Sequence, residues 1–230
     1  MRRKHRHREV DGQSDHHSNS MTGVDIPLRG ALRQDAALTC GLFQHCDWGF
    51  IMLTTENTLA LVIDFQARLM PIIRRHERLA RTAATFVRGC RILGVPVLAT
   101  QQYTKGLGDT VPELAEALGE QEFVEKITFS CYRNEEFKGK LESAGKKNIL
   151  VTGIEAHVCV QQTVLDLLDG GYSVYVIADC IGSRFKPDRA YAERRMERAG
   201  AVLTTTESAL FEMMVGADHP RRKEISSLVK

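Results

Sequence analysis

No apolar run in the sequence approaches the roughly 18 residues that a membrane-spanning helix needs, so no membrane partner is expected. Charge of either sign is not in excess: 31 lysines and arginines stand against 29 aspartates and glutamates, a formal net charge of +2. That balance gives no electrostatic argument for nucleic acid or an acidic lipid surface as a partner. None of the six cysteines (Cys40, Cys46, Cys90, Cys131, Cys159, Cys180) forms a CxxC pair, which removes zinc ribbons and thioredoxin-type redox motifs. Their irregular spacing fits free thiols in a reducing, cytoplasmic setting. No G-x-G-x-x-G follows a strand-like run, which disfavours a dinucleotide-binding dehydrogenase. What is present is an ordinary globular composition, 43% hydrophobic and 26% charged over 230 residues. Such a chain is long enough for one well-buried domain and short for two.

The first fifty-odd residues differ from the rest. Residues 1–20 are dense in Arg, Lys, His, Asp and Ser, with too few apolar side chains to offset the entropy of ordering. They also lack the apolar stretch of a secretory signal. Residues 22–50 show no sustained period. Residues 1–55 are therefore expected to form a poorly ordered extension, with translation beginning at Met52 as one explanation, and residues 56–230 to form the folded domain.

From Thr58 onward, short β-rich runs alternate with helical ones. Strands are expected at Thr58–Asp64, Val95–Thr100, Phe123–Lys126, Asn148–Thr152, Ser173–Asp179 and Ala201–Thr206. Between them, helical spacing covers Arg74–Gly94, Val111–Leu118, Glu135–Ser143, Val158–Leu168, Asp188–Ala199 and Glu207–Val215. Apolar strands separated by helices predict an α/β fold: a three-layer α/β/α sandwich on a six-stranded parallel sheet, Rossmann-like in build. Ligands in such sheets sit beyond the carboxyl ends of the strands.

Three reactive residues fall there. Asp64 ends the first strand, Lys126 ends the third, and Cys159 lies on the turn into the helix after the fourth. In the first turn of a helix, free N–H groups and the dipole would favour a thiolate and lower the Cys159 pKa. Asp64 is suited to act as general base, and Lys126 to hold it ionised. Each has a plainer reading: a buried structural cysteine, a capping carboxylate, a solvated lysine. His157 is too close in sequence to Cys159 to face it, and reads as structural or pocket-lining. Gln66, Gln102, Tyr103, Phe129 and Tyr132 each follow a strand end and are candidates to line a pocket for a small polar substrate.

The segments LVIDFQ, VPVLATQQY, GLGDTVPEL, VEKITFSC and GIEAHVCVQQT resemble the isochorismatase-like cysteine hydrolases, most closely the isochorismatase domain-containing proteins. The resemblance runs from Thr58 through the tail HPRRKEISSLVK. It implies that Asp64, Lys126 and Cys159 are a catalytic triad and that the Ile154–Glu155 peptide bond is cis. The backbone N–H groups of Glu155 and Cys159 would then form an oxyanion hole. It also implies a homo-oligomer. Metal-dependent nicotinamidases of this group carry histidines after the second strand. Here that place reads TQQYTKGLGDT, so neither a metal nor another cofactor is expected. True isochorismatases often lack the cysteine, and its presence favours cleavage of an amide-like C–N bond through a thioester. Two alternatives stay open: hydrolysis of a vinyl ether with Asp64 as acid, and a small-molecule-binding or thiol protein with a vestigial site.

Overall fold

The computed structural model describes residues 52–230. The expected extension falls on residues outside these, except for its last few, of which Leu53 is buried in the core with its N–H donated to Glu212 Oε1 at 2.8 Å.

Six strands form one sheet: β1 (Thr58–Ile63), β2 (Val97–Gln102), β3 (Phe123–Lys126), β4 (Asn148–Ile154), β5 (Ser173–Gly182) and β6 (Val202–Thr204). Every pairing is parallel, in the order β3-β2-β1-β4-β5-β6. β1 and β4 sit at the centre and are buried at every position, which explains their near-continuous apolar sequences. The chain winds outward from β1 in one direction through β2 and β3, then restarts at β4 and winds the other way. The β1–β4 boundary is therefore the topological switch point, the place where ligands bind in sheets of this kind.

The helices are α1 (His76–Ile92), α2 (Thr104–Leu107), α3 (Pro112–Leu118), α4 (Glu135–Ala144), α5 (Gln161–Asp169), α6 (Lys186–Arg198), α7 (Thr206–Met214) and α8 (Arg222–Leu228). Two separate hydrophobic cores identify the layers. α1, α3, α7 and α8 pack on one face, against Ala60 and Val62 of β1. α4, α5 and α6 pack on the other, against Leu59, Leu61 and Ile63. The alternation along β1 is the period-2 geometry of a strand with both faces covered. The three-layer α/β/α sandwich expected from the sequence is thus present.

Local chemistry accounts for the boundaries. The Asn134 side chain caps α4 by accepting from the Phe137 N–H at 2.9 Å, and Gly145 closes it with φ near 63°. α3 starts at Pro112, whose missing N–H is harmless in a first turn. The differences from expectation are at short elements. The loop after β2 contains the four-residue α2, and the C-terminal tail forms α8. The turn after β4 is a π-helical turn, Ala156–Val160, rather than the start of an α-helix. Among the described residues no helix is long and apolar enough to cross a membrane.

Candidate active site

Asp64 is the residue at which β1 stops. Its φ of 56° lies in the left-handed region, which costs a non-glycine residue about 1–3 kcal/mol and tends to occur where a side chain has a task. The Asp64 N–H still donates to Thr100 O (3.3 Å), while its carbonyl already accepts from the Gln66 N–H (2.7 Å), so the strand turns sharply away. The carboxylate is left at the switch point with no exposure to solvent.

Lys126 ends β3 and is 1% exposed. Its three N–H donors have three acceptors: Asp64 Oδ2 at 2.6 Å, Gln102 Oε1 at 2.7 Å and Thr128 O at 3.4 Å. Asp64 Oδ1 accepts from the Thr100 hydroxyl at 2.8 Å. Burial, the largest single influence, discourages the ammonium charge, but the Asp64 carboxylate together with Cys131 and Cys159 outweighs it and the Lys126 pKa is raised. With either partner of this buried pair removed, the other would be stranded.

Cys159 lies in the π-helical turn after β4 and is 6% exposed. Its thiol pKa is pushed up, first by burial and then by the negative charge of the nearby Asp64; Lys126 pulls the other way without prevailing. This reverses the expectation of a thiolate favoured by a helix start. The turn is not the first turn of an α-helix, and a neighbouring carboxylate opposes a second negative charge. The resting group is a neutral thiol beside a base. The Cys159 carbonyl accepts from Thr163 Oγ1 (2.7 Å), and that hydroxyl accepts from the Cys131 N–H (2.9 Å), which fixes the turn against the core.

The structure thus gathers Asp64, Lys126 and Cys159 from three elements into one buried cluster. The Ile154–Glu155 bond is cis, as the resemblance implied. The other sequence candidates divide. Gln102 reaches the cluster, holding Lys126 with its amide oxygen and Ile127 O with its amide nitrogen (2.7 Å). Phe129, 54% exposed, and the half-exposed Tyr103 stand at the outer ends of the same strands. Gln66 is completely buried, and its amide is spent on backbone: it donates to Gln102 O (3.1 Å) and Gly108 O (2.7 Å) and accepts from the Gln102 N–H (2.7 Å). Its position after a strand end is real, but it clamps a loop instead of facing a ligand. Tyr132 packs edge-on against Tyr172, ring centroids 5.9 Å apart, away from the triad.

His157 hydrogen-bonds Ser183 Oγ at 3.1 Å and lies 3.9 Å from Glu155 and 3.7 Å from Asp188, a structural role. The Glu155 side chain pairs with Arg184 at 2.9 Å. Cys131 is buried behind the triad, 3.7 Å from Thr100 Oγ1, with its pKa raised to about 11, chiefly by burial. Cys180 lies in the opposite core layer. Thr100 was not singled out from sequence; a hydroxyl closing the apolar run VPVLAT was the available signal. Among the described residues no group of three or more His, Cys, Asp or Glu side chains is placed to hold a metal ion.

Comparison with known proteins agrees with this fold. The Isochorismatase domain family model matches residues 58–208. Isochorismatase domain-containing protein 2 of Danio rerio is 38% identical over 183 residues, 79% of this chain and 91% of the relative. Among solved structures, MAR1 ribonuclease from Caenorhabditis elegans superposes with a TM-score of 0.73 at 37% identity, covering 77% of this chain and 92% of that one. YcaC from Pseudomonas aeruginosa, solved with hexane-2,5-diol and covalent acrylamide, gives 0.71 at 25% identity over 78% and 89%.

Proposed function

The chain belongs to the isochorismatase family of hydrolases, and from that premise we propose that it is a metal-independent cysteine hydrolase cleaving an amide-like C–N bond of a small molecule. One observation carries the reading: a single buried carboxylate, Asp64, is paired with the Lys126 ammonium at 2.6 Å and its negative charge bears on the Cys159 thiol.

The chemistry follows from that triangle. As Cys159 Sγ attacks the substrate carbonyl carbon, its proton passes to Asp64, so the thiolate never has to accumulate beside the carboxylate. The carbonyl oxygen becomes an oxyanion, received by the backbone N–H groups of Glu155 and Cys159. Collapse expels the amine, which takes the proton from Asp64, and leaves a thioester. Asp64 then deprotonates water, which attacks the thioester; the acid departs and the proton returns to sulfur. Lys126 remains an ammonium throughout: with all three donors engaged, it holds Asp64 in place and offsets charge gained nearby. Gln102 positions Lys126. Phe129, with Tyr103, forms an aromatic rim for the substrate.

The chain's free buried thiols accord with a cytoplasmic location. The exposed Ile127, Tyr191 and Val215 support the homo-oligomer that the family resemblance implies. Acrylamide adds to thiols, so its covalent presence in the Pseudomonas relative supports a reactive cysteine in this fold. The name of the worm relative points instead to RNA. Ribonucleases of the common kind use the RNA's own 2′-hydroxyl as nucleophile, so a thiol would be dispensable.

Mass spectrometry of the intact protein after incubation with amides, carbamates and nitriles tests the reading. An acyl adduct on Cys159, lost in Cys159→Ala, is expected. Full turnover by Cys159→Ala, on any substrate the wild type cleaves, would refute it.

A further inference from the structure

A concave site lined by none of Asp64, Lys126 and Cys159 opens beside the carboxyl end of β5. It is a cleft of about 500 Å³ between the start of α1 and the start of α6. That volume suits a small molecule. Five cationic side chains line it, Arg74, Arg75, Arg78, Lys186 and Arg189, against two carboxylates, Asp179 and Glu193. The whole chain has a net charge of only +2, so this concentration is local.

Both carboxylates are already engaged. Asp179 Oδ1 accepts from the Thr206 N–H (2.9 Å) and hydroxyl (3.1 Å). Glu193 pairs with Arg189 at 2.8 Å, and Arg189 also donates to Ala178 O at 2.6 Å. Among the described residues, Arg74, Arg75, Arg78 and Lys186 have no carboxylate partner. Four like charges held within one cleft repel one another, and an anion in their midst removes that cost. The wall is rigid: Leu79 and Ile181 are buried beneath it, and the Arg74 N–H is tied to Ser183 O at 3.3 Å. The Phe185 ring, 63% exposed, lines the same cleft and offers an aromatic face.

We propose that this cleft binds an organic di- or triphosphate with a planar ring, of the nucleotide class, through Arg74, Arg75, Arg78 and Lys186, with Phe185 against the ring. Guanidinium groups meet phosphate oxygens through two parallel hydrogen bonds, and an aromatic face accepts a flat heterocycle. None of Asp64, Lys126 and Cys159 lines this cleft, although Gly182 on its wall pairs with Ile154 beside Glu155, and the assignment does not rest on the hydrolytic reading.

Isothermal titration of the full chain with ATP, tripolyphosphate and a short single-stranded RNA tests the assignment at low ionic strength. ATP should bind one per chain, and Arg74→Gln/Arg78→Gln should weaken it about tenfold or more, the scale of lost charge-assisted hydrogen bonds. The charge-matched pair Arg194→Gln/Arg195→Gln, on residues that do not line the cleft, should change it by less than about twofold. Phe185→Ala should weaken ATP and leave tripolyphosphate unchanged. Cys159→Ala should bind ATP as the wild type does, which separates this site from the hydrolytic reading. Several results would overturn the proposal: no binding of ATP at millimolar concentration, equal weakening by both arginine pairs, RNA held more tightly than ATP through Arg74 and Arg78, or dissociation of an oligomer by Arg74→Gln/Arg78→Gln.

Discussion

Replacing Lys126 by methionine keeps most of the side-chain volume and removes the charge that faces Asp64. In the wild type the two side chains are completely buried, 2.6 Å apart. The substitution leaves the Asp64 side chain with the Thr100 hydroxyl as its hydrogen-bond donor and no counter-charge. Stranding one member of a buried ion pair costs about 3–5 kcal/mol. At roughly 2–4 °C per kcal/mol for a domain of this size, the midpoint of thermal unfolding should fall by about 6–20 °C. The double variant Asp64→Asn/Lys126→Met removes both charges and should recover about 1–3 kcal/mol relative to Lys126→Met alone. Urea unfolding at neutral pH, followed by far-ultraviolet circular dichroism, measures all three proteins. A loss below about 1 kcal/mol in Lys126→Met, the range of a solvated surface pair, would refute the buried coupling on which the site's electrostatics rest.

Other expectations follow from the same interior. The thiols of Cys90, Cys131, Cys159 and Cys180 are all raised by burial, so the folded state holds their protons more tightly than the unfolded chain. Their stabilising contribution is complete below the ordinary thiol pKa of about 8.5 and declines above it, by about 1.4 kcal/mol per thiol per pH unit. For Cys131 the loss should level off near pH 11. A flat unfolding midpoint between neutral pH and pH 10 would contradict this. Gly153→Ala places a methyl group 2.5 Å from Ile63 Cβ and 2.7 Å from its carbonyl, beside Asp64. A loss of about 1–3 kcal/mol is expected from such overpacking, read as a lower urea midpoint, and an unchanged midpoint would be the contrary result. Thr163→Val keeps the shape but deprives the buried Cys131 N–H of its acceptor, at a cost of about 1–3 kcal/mol. Thr163→Ser should restore most of it, and failure of that rescue would assign the loss to packing.

The parts of the fold that the sequence made legible are those set by local pattern. β1 and β4 read as unbroken apolar runs because both their faces are covered, and α1 announced itself through Leu79, Ala83, Phe86, Val87 and Cys90 on one side. Asp64, Lys126 and Cys159 were visible because reactive groups at the ends of apolar strands stand out. Strand order was not legible, since it depends on which way each crossover swings. α2 was missed because four residues are too few to display a helical period, and α8 because it buries a single residue, Ile225, and so shows no apolar stripe. The direction of the Cys159 shift was misjudged for a related reason: it depends on burial and on a carboxylate 95 positions away in the chain, not on the turn alone. Gln66 has the right address for a pocket residue, and only the hydrogen bonds reveal its different occupation.

That occupation makes the segment between Gln102 and Gly108 a hoop fastened at its base by one amide. Both ends of the hoop are tied to the same buried side chain. Further bonds (Tyr103 N–H to Lys126 O at 3.0 Å, Arg68 N–H to Leu107 O at 3.0 Å) would have to be kept when the crest between them is exchanged, so that the frame carrying Asp64 and Lys126 does not shift. The arrangement separates two design problems: the reacting groups are set by the sheet, and what they are shown is set by a replaceable rim. A grafted crest of altered length should therefore change selectivity while the reactivity of Cys159 stays as it was, a division of labour that makes this scaffold a practical starting point for new substrates.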